Sequence, residues 1–187
     1  MSLELRIACE ADAEAIAALV NRAYRPSPKD RGWTHEANLI SGERTTAEQV
    51  ISLLHERSVI LLLCIDQKIA ACVHVQEDES NAYIGMLTTA PELQAKGLGK
   101  EMLSHAEKYA LENFRASAFK MSILSLRPEL LAFYERRGYA LTGEAEAYPS
   151  SAGVGQPIVD GIRVLSLLKR PDGLRSSNFA VASKNDN

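Results

Sequence analysis

Residues 84–100 read Ile84-Gly85-Met86-Leu87-Thr88-Thr89-Ala90-Pro91-Glu92-Leu93-Gln94-Ala95-Lys96-Gly97-Leu98-Gly99-Lys100, which is a strand, a turn and the opening of a long helix. The strand covers Ala82 to Thr88. After Pro91 and the glycines at 97 and 99, Leu98, Met102, Ala106 and Tyr109 recur on one side of a helix that reaches about Asn113. Such an opening binds anions. Unpaired backbone N–H groups and the positive end of the helix dipole converge on one spot, glycine lets a phosphate approach the main chain, and Lys96 and Lys100 add charge. A pyrophosphate is the expected guest. Two commoner phosphate motifs fail on spacing. A P-loop ending at Gly99-Lys100 needs glycine at 94 and Ser or Thr at 101, where Gln94 and Glu101 stand. A dinucleotide fingerprint starting at Gly97 and Gly99 needs glycine or alanine where the chain has Met102.

Outward from this segment the chain alternates strand and helix patterns. Leu3, Leu5 and Ile7 alternate with Glu4 and Arg6 as in a half-buried strand, and Asp12 offers an N-cap. Ile16, Leu19, Val20 and Ala23 then give one helix face, which Pro26 and Pro28 stop. Residues Arg25 to Arg44 read as irregular. Thr45 and Thr46, with Glu48 and Gln49 three positions on, carry the capping-box spacing of a second helix ending near Arg57. Val59 to Ile65 and Ile69 to Val75 read as two strands joined by a polar turn. Phe119 to Leu126 is a strand, residues 128–137 a short helix between Pro128 and Gly138, and Tyr139 to Thr142 and Ile162 to Leu168 the last strands. Ala147 to Gly161 reads as a long loop, and Pro171 to Asn187, without apolar period, as a flexible tail. The order β-α-α-β-β-β-α-β-α-β-β predicts one α+β (mixed α/β) domain over residues 1–170.

Composition narrows the function classes. The 187 residues are 46% hydrophobic and 24% charged, enough apolar material for a sizeable core. A net charge of -3 has the wrong sign for a dedicated nucleic-acid binder, and no basic stretch interleaved with aromatics appears. The longest apolar run, Val59 to Ile65, is far short of a membrane span, and Met1 to Ile7 shows no secretory signal, so a soluble, cytoplasmic protein is expected. Cys9, Cys64 and Cys72 lie in apolar segments and read as reduced packing residues.

Gln94-Ala95-Lys96-Gly97-Leu98-Gly99 after a strand, together with Phe133-Tyr134-Glu135-Arg136-Arg137-Gly138-Tyr139 some 35 residues later, resembles the acyl-CoA signature of the GCN5-related N-acetyltransferase (GNAT) family. The likeness runs from about Leu3 to Leu168. It implies a twisted, mostly antiparallel sheet of about seven strands flanked by four helices, and acetyl-CoA as co-substrate with no metal. It also implies roles for individual residues. The main-chain N–H groups of Gln94, Ala95, Lys96, Gly97, Leu98, Gly99 and Lys100 would hold the CoA pyrophosphate. Main-chain groups of Met86, Leu87 and Thr88 would pair with the pantetheine arm as an added strand, with the Leu87 N–H facing the thioester oxygen. Tyr134 matches the tyrosine that protonates the departing thiolate; read from the residues alone, it also suits a packed aromatic of an amphipathic helix. Where the family often has an asparagine seven residues before that tyrosine, this chain has Arg127, placed to reach a phosphate, a substrate carboxylate or only solvent.

The acceptor half is less legible. An alkyl amine is almost wholly protonated at neutral pH, so a base or a water path is needed. Glu77 is the first candidate, with Glu79, His74 and Glu36 behind it; Glu77 and Glu79 also suit solvated turn charges, and His74 a sheet histidine. The resemblance locates acceptor specificity in Arg25 to Arg44 and Ala147 to Gly161. Trp33, Glu36 and Tyr148 are the expected pocket residues, Glu36 suiting a cation and Trp33 serving otherwise as a loop anchor. The segment around Trp33 is similar to uncharacterised bacterial members of the family. The expected activity is acetyl transfer from acetyl-CoA to a primary amine of a small-molecule or amino-acid-like acceptor. The alternatives are a protein or peptide N-acetyltransferase and a non-catalytic acyl-CoA sensor. A homodimer is possible by family habit alone.

Overall fold

A computed structural model describes residues 3–26 and 35–171. Trp33 and almost all of the expected tail lie outside the described residues. In chain order the elements are β1 (Leu3–Ile7), α1 (Ala13–Tyr24), β2 (Ile40–Ser41), α2 (Ala47–Ser52), β3 (Ser58–Ile65), β4 (Lys68–Asp78), β5 (Asn81–Thr89), α3 (Leu98–Asn113), β6 (Phe119–Leu124), α4 (Pro128–Glu135), β7 (Ala140–Ala147), β8 (Gln156–Pro157) and β9 (Arg163–Lys169). Seven strands form one sheet in the order β1-β3-β4-β5-β6-β9-β7, and β2 and β8 make a separate two-stranded ribbon. Every pairing in the large sheet is antiparallel except β5 with β6.

The middles of the central strands are largely apolar because helices cover both faces. Val59, Leu61 and Leu63 of β3 pack with Val73, Val75, Met102, Ala106 and Phe119 on the side of α3 and α4. Ile60, Leu62 and Cys64 point the other way, against Ile16, Val20 and Val50 of α1 and α2. Fully burying each such side chain contributes about 1.5–3 kcal/mol, so these two layers hold the sheet flat against its helices. Cys64 and Cys72 are buried thiols in the second layer, whereas Cys9 is exposed.

Apart from the β2–β8 ribbon, element identities follow the sequence reading, and the boundaries move for local reasons. Asp12 does not cap α1 directly. It accepts a hydrogen bond from the Cys9 N–H at 2.9 Å and a two-pronged ion pair from Arg6, both prongs 2.7 Å, which ties β1 to the helical start. Of the two capping-box spacings, Thr46 with Gln49 is the one formed: Gln49 N–H donates to Thr46 Oγ1 at 3.3 Å and Thr46 N–H to Gln49 Oε1 at 3.0 Å. α2 stops at Ser52, whose hydroxyl donates to the Gln49 carbonyl at 2.7 Å and so competes with the helical ladder. β7 runs on to Ala147, past the expected Thr142. It is an edge strand exposed almost throughout, so no buried face imposed an apolar alternation.

His74 sits in β4, 5% exposed, sharing a 2.7 Å hydrogen bond between its Nε2 and the Ser58 hydroxyl. Burial, with some help from His55, lowers its pKa to about 4. The folded state therefore holds a neutral imidazole that the unfolded chain protonates below its ordinary pKa of about 6.5. Stability is complete above that value and falls as pH drops toward 4, by about 2 kcal/mol between pH 7 and pH 5. Thermal melting at the two pH values should show this loss in the native chain and a much smaller one in His74→Gln. Equal losses in both would mean that His74 is not the titrating group. Asp12, held low by Arg6, loses its contribution only below about pH 3.8 and does not enter this window.

Candidate active site

The sheet is split. β5 and β6 pair only through Ala82 with Phe119 and Tyr83 with Lys120, after which the two strands part, while β6 stays paired with β9 as far as Leu124 with Val164. On its other side β5 carries a bulge. Cys72 lies opposite Thr88 and His74 opposite Gly85, so Met86 and Leu87 together oppose one residue of β4. Met86 takes the left-handed conformation with φ 50°, a strained state for a residue with a side chain. The Thr88 hydroxyl donates to the Met86 carbonyl at 2.9 Å and fixes it. The bulge brings Leu87 to the mouth of the split, where the Tyr24 hydroxyl, from the last turn of α1, donates to its carbonyl at 3.1 Å.

After β5 the chain makes one short helical turn, Pro91–Leu93, and enters α3 through Ala95 at φ 62° and Gly97 at φ 88°. Gly97 is the N-cap and no side chain caps the helix, so the N–H groups of its first turn are left for another partner. They open on a cavity of about 270 Å³ walled by residues of this loop, by Thr89, and by Leu130, Phe133, Tyr134 and Arg137 of α4 and its end. Its described lining holds Lys100 and Arg137 and no carboxylate. Arg137 lies face-on to Phe133, 3.4 Å from the ring centroid, and its Nε is buried without a hydrogen bond. An anion fits this lining.

A second cavity, about 280 Å³, occupies the opened side of the split between β5 and β6. Met121, Ile123, Leu124 and Val164 form an apolar wall, and Glu36, Arg44, Tyr83 and Tyr148 are among its polar residues. The two cavities share four residues: Tyr24, Leu87, Leu130 and Tyr134. Tyr134 is 7% exposed, stacked edge-to-face on Phe133 and Tyr139 at 5.1 and 5.9 Å. Burial drives its phenol well above the ordinary range, with neighbouring Tyr24 and Tyr83 adding and Arg127 and Arg137 opposing. Burial likewise raises Tyr24 to about 12. Both remain protonated at neutral pH.

The expected residues sort cleanly. Leu87, Gln94, Ala95, Gly97, Leu98, Gly99 and Lys100 line the first cavity, and Met86, Leu87, Glu36 and Tyr148 the second, with Tyr134 in both. Lys96 lines neither and is exposed; Thr88 is buried behind the bulge. Glu77 is not brought to the site: it lines neither cavity and pairs with Arg57 at 2.7 Å near the far end of β4. Glu79, in a turn at φ 55°, and His74 also stand outside the cavities. Glu36 is buried and held at 2.7 Å by Arg25, with Arg127 at 3.8 Å from its other oxygen. Arg127, 3% exposed and also paired with Glu129, does not face solvent. Tyr24, Arg44, Thr89, Leu130, Phe133 and Arg137 are site residues that the sequence did not single out.

The split sheet thus carries two cavities that meet at Tyr24, Leu87, Leu130 and Tyr134. The model of the acetyltransferase (GNAT) family matches residues 14–139, and the chain belongs to that family of N-acetyltransferases. Among solved structures it is similar to the ribosomal-protein-S18-alanine N-acetyltransferase of Escherichia coli, at 16% identity and TM-score 0.67 over 94% of this chain and 100% of that one. It is similar to an N-acetyltransferase of Staphylococcus aureus Mu50, at 15% identity and TM-score 0.66 over 91% and 98%. A third is a putative streptothricin acetyltransferase of Bacillus anthracis str. Ames in complex with acetyl coenzyme A, at 14% identity and TM-score 0.63 over 92% and 99%. At such identities the likeness speaks for the fold. No curated protein matches the sequence. Among the described residues no helix is long and apolar enough to cross a membrane.

Proposed function

We propose that the chain transfers an acetyl group directly from acetyl-CoA to a primary amine of a small-molecule or amino-acid-like acceptor. The observation that carries this reading is the meeting of the two cavities at Tyr134 and Leu87. The first cavity, cationic and fed by the uncapped N-terminus of α3, is the donor side; the second is the acceptor side.

Acetyl-CoA supplies an acetyl group activated as a thioester. The first-turn N–H groups of α3, with Lys100 and Arg137, hold its pyrophosphate. The unpaired edge of β5 at Met86 and Leu87 receives the pantetheine arm as a strand would be received. Leu87 N–H orients the acetyl carbonyl at the split. As the C–N bond forms and the C–S bond breaks, Tyr134 gives its phenol proton to the departing sulfur, and the proton that the attacking nitrogen sheds returns to the phenolate, so that amide and thiol both end neutral. Tyr24, fixed on the Leu87 carbonyl, holds the bulge in place from the α1 side.

The test is acetyl-CoA-dependent thiol release from purified protein against separate pools of polyamines, amino acids, aminoglycosides, arylamines and short peptides, with a no-acceptor blank. One small-amine pool rising above the blank is the expected result, with acetyl-CoA also raising the melting temperature. Turnover of peptides alone would replace the acceptor by a polypeptide. Stabilisation without turnover of any pool would favour an acyl-CoA sensor. The absence of both stabilisation and turnover would remove the donor site.

A further inference from the structure

We infer that the acceptor amine carries a carboxylate, as an amino acid with an apolar body does, and that Arg44 binds that carboxylate. The inference rests on the second cavity being the acceptor side. Arg44 lines that cavity with its guanidinium over the Tyr24 ring, 5.6 Å from the centroid. Its backbone is anchored, since Arg44 N–H donates to Asn21 Oδ1 at 2.7 Å. Among the described residues no carboxylate forms an ion pair with it. A guanidinium presented to a half-enclosed cavity with one apolar wall is a two-pronged carboxylate receptor.

Glu36 does not cancel this charge. One of its oxygens is 2.7 Å from Arg25 and the other 3.8 Å from Arg127, so both are already answered by buried cations. An incoming ammonium would have to compete with those pairs inside the protein, where uncompensated charge is costly. Among the described residues, Arg25 and Arg127 are paired with Glu36 and Glu129, and Arg44 has no carboxylate partner. Terminal nitrogens of Arg127 are buried without hydrogen bonds, which adds to the positive field behind Glu36. The apolar wall formed by Met121, Ile123 and Leu124 suits the body of the acceptor, and with its carboxylate on Arg44 its amine is directed to the shared end at Tyr134.

The experiment compares three matched acceptor pools in the thiol-release assay: leucine, methionine and phenylalanine; their amides; and the corresponding decarboxylated amines. Native chain, Arg44→Gln and Arg44→Lys are measured, each with its melting temperature with and without acetyl-CoA. The expected result is a kcat/KM for the acids at least tenfold above both other pools. Arg44→Gln should raise KM for the acids at least tenfold with kcat little changed and erase the preference over amides, and Arg44→Lys should restore part of it. All three proteins should keep the same acetyl-CoA stabilisation, which separates a lost acceptor contact from a lost fold. Amides or amines used as well as the acids would overturn the inference, as would an unchanged KM in Arg44→Gln. Acetyl-CoA stabilisation with no turnover of the acids would overturn it while leaving the donor site intact. If acetyl-CoA neither stabilised the protein nor was consumed, the acyl-transfer reading would itself fall.

Discussion

Gly99→Leu is expected to abolish acetyl-CoA binding while leaving the fold at least as stable. Gly99 is the second residue of α3, at the uncapped end that opens on the donor cavity. A Cβ there would lie 3.6 Å from Thr89 Oγ1 and 3.9 Å from Phe133 Cζ, ordinary contact distances, so alanine fits. The branches of leucine reach beyond Cβ into the space between those residues, where the ligand's phosphates must approach the main chain. A loss of about 100-fold in affinity, or about 3 kcal/mol, should remove the melting shift given by acetyl-CoA. Without ligand the variant should melt no lower, because leucine is a better helix residue than glycine by up to about 1 kcal/mol. Gly97 offers the converse. Its φ of 88° and the open space around it mean that Gly97→Ala meets no neighbour but strains the backbone by about 1 kcal/mol. Intact affinity in Gly99→Leu would place the pyrophosphate elsewhere.

The place of that glycine was legible in the sequence because it is set locally: strand end, turn and helix start all fall within residues 84–100. The strands and helices around it were legible for the same reason, each by its own period. Contacts that depend on distant pairing were not. The split between β5 and β6 exists because residues 82 and 83 meet 119 and 120 and nothing further along does, a matter of register between segments a helix apart. The ribbon of Ile40–Ser41 with Gln156–Pro157 lies in two segments that read as loops, since two residues show no period. Glu77 is a base candidate by residue type alone, and the register of β3 on β4 sets it beside Arg57 instead. Tyr24 follows the apolar run of α1 and resembles core, and only the tertiary fold shows its hydroxyl on the Leu87 carbonyl. Arg44 precedes a capping box and belongs to no motif.

Tyr134→Phe should lower kcat by about 100-fold or more, the scale of a lost general acid, with acetyl-CoA stabilisation retained. The ring's edge-to-face packing on Phe133 and Tyr139 survives the change, and among the described residues the hydroxyl has no hydrogen-bond partner to lose, so the fold should be nearly indifferent. A phenol raised so far by burial looks too weak an acid for a thiolate, whose free pKa is about 8.5. The same burial acts on sulfur, however. Low-dielectric surroundings raise a thiol's pKa as they raise a phenol's, so a thiolate released at the split is a stronger base than in water. Donor and acceptor shift in the same direction; the phenol stays the weaker acid, and its proton follows the sulfur because C–S cleavage to a stable amide drives the step. Because the phenol remains protonated, kcat/KM should climb with pH as the acceptor amine loses its proton and show no alkaline fall below about pH 10. A fall near pH 8, or a kcat unchanged in Tyr134→Phe, would assign the proton to another donor.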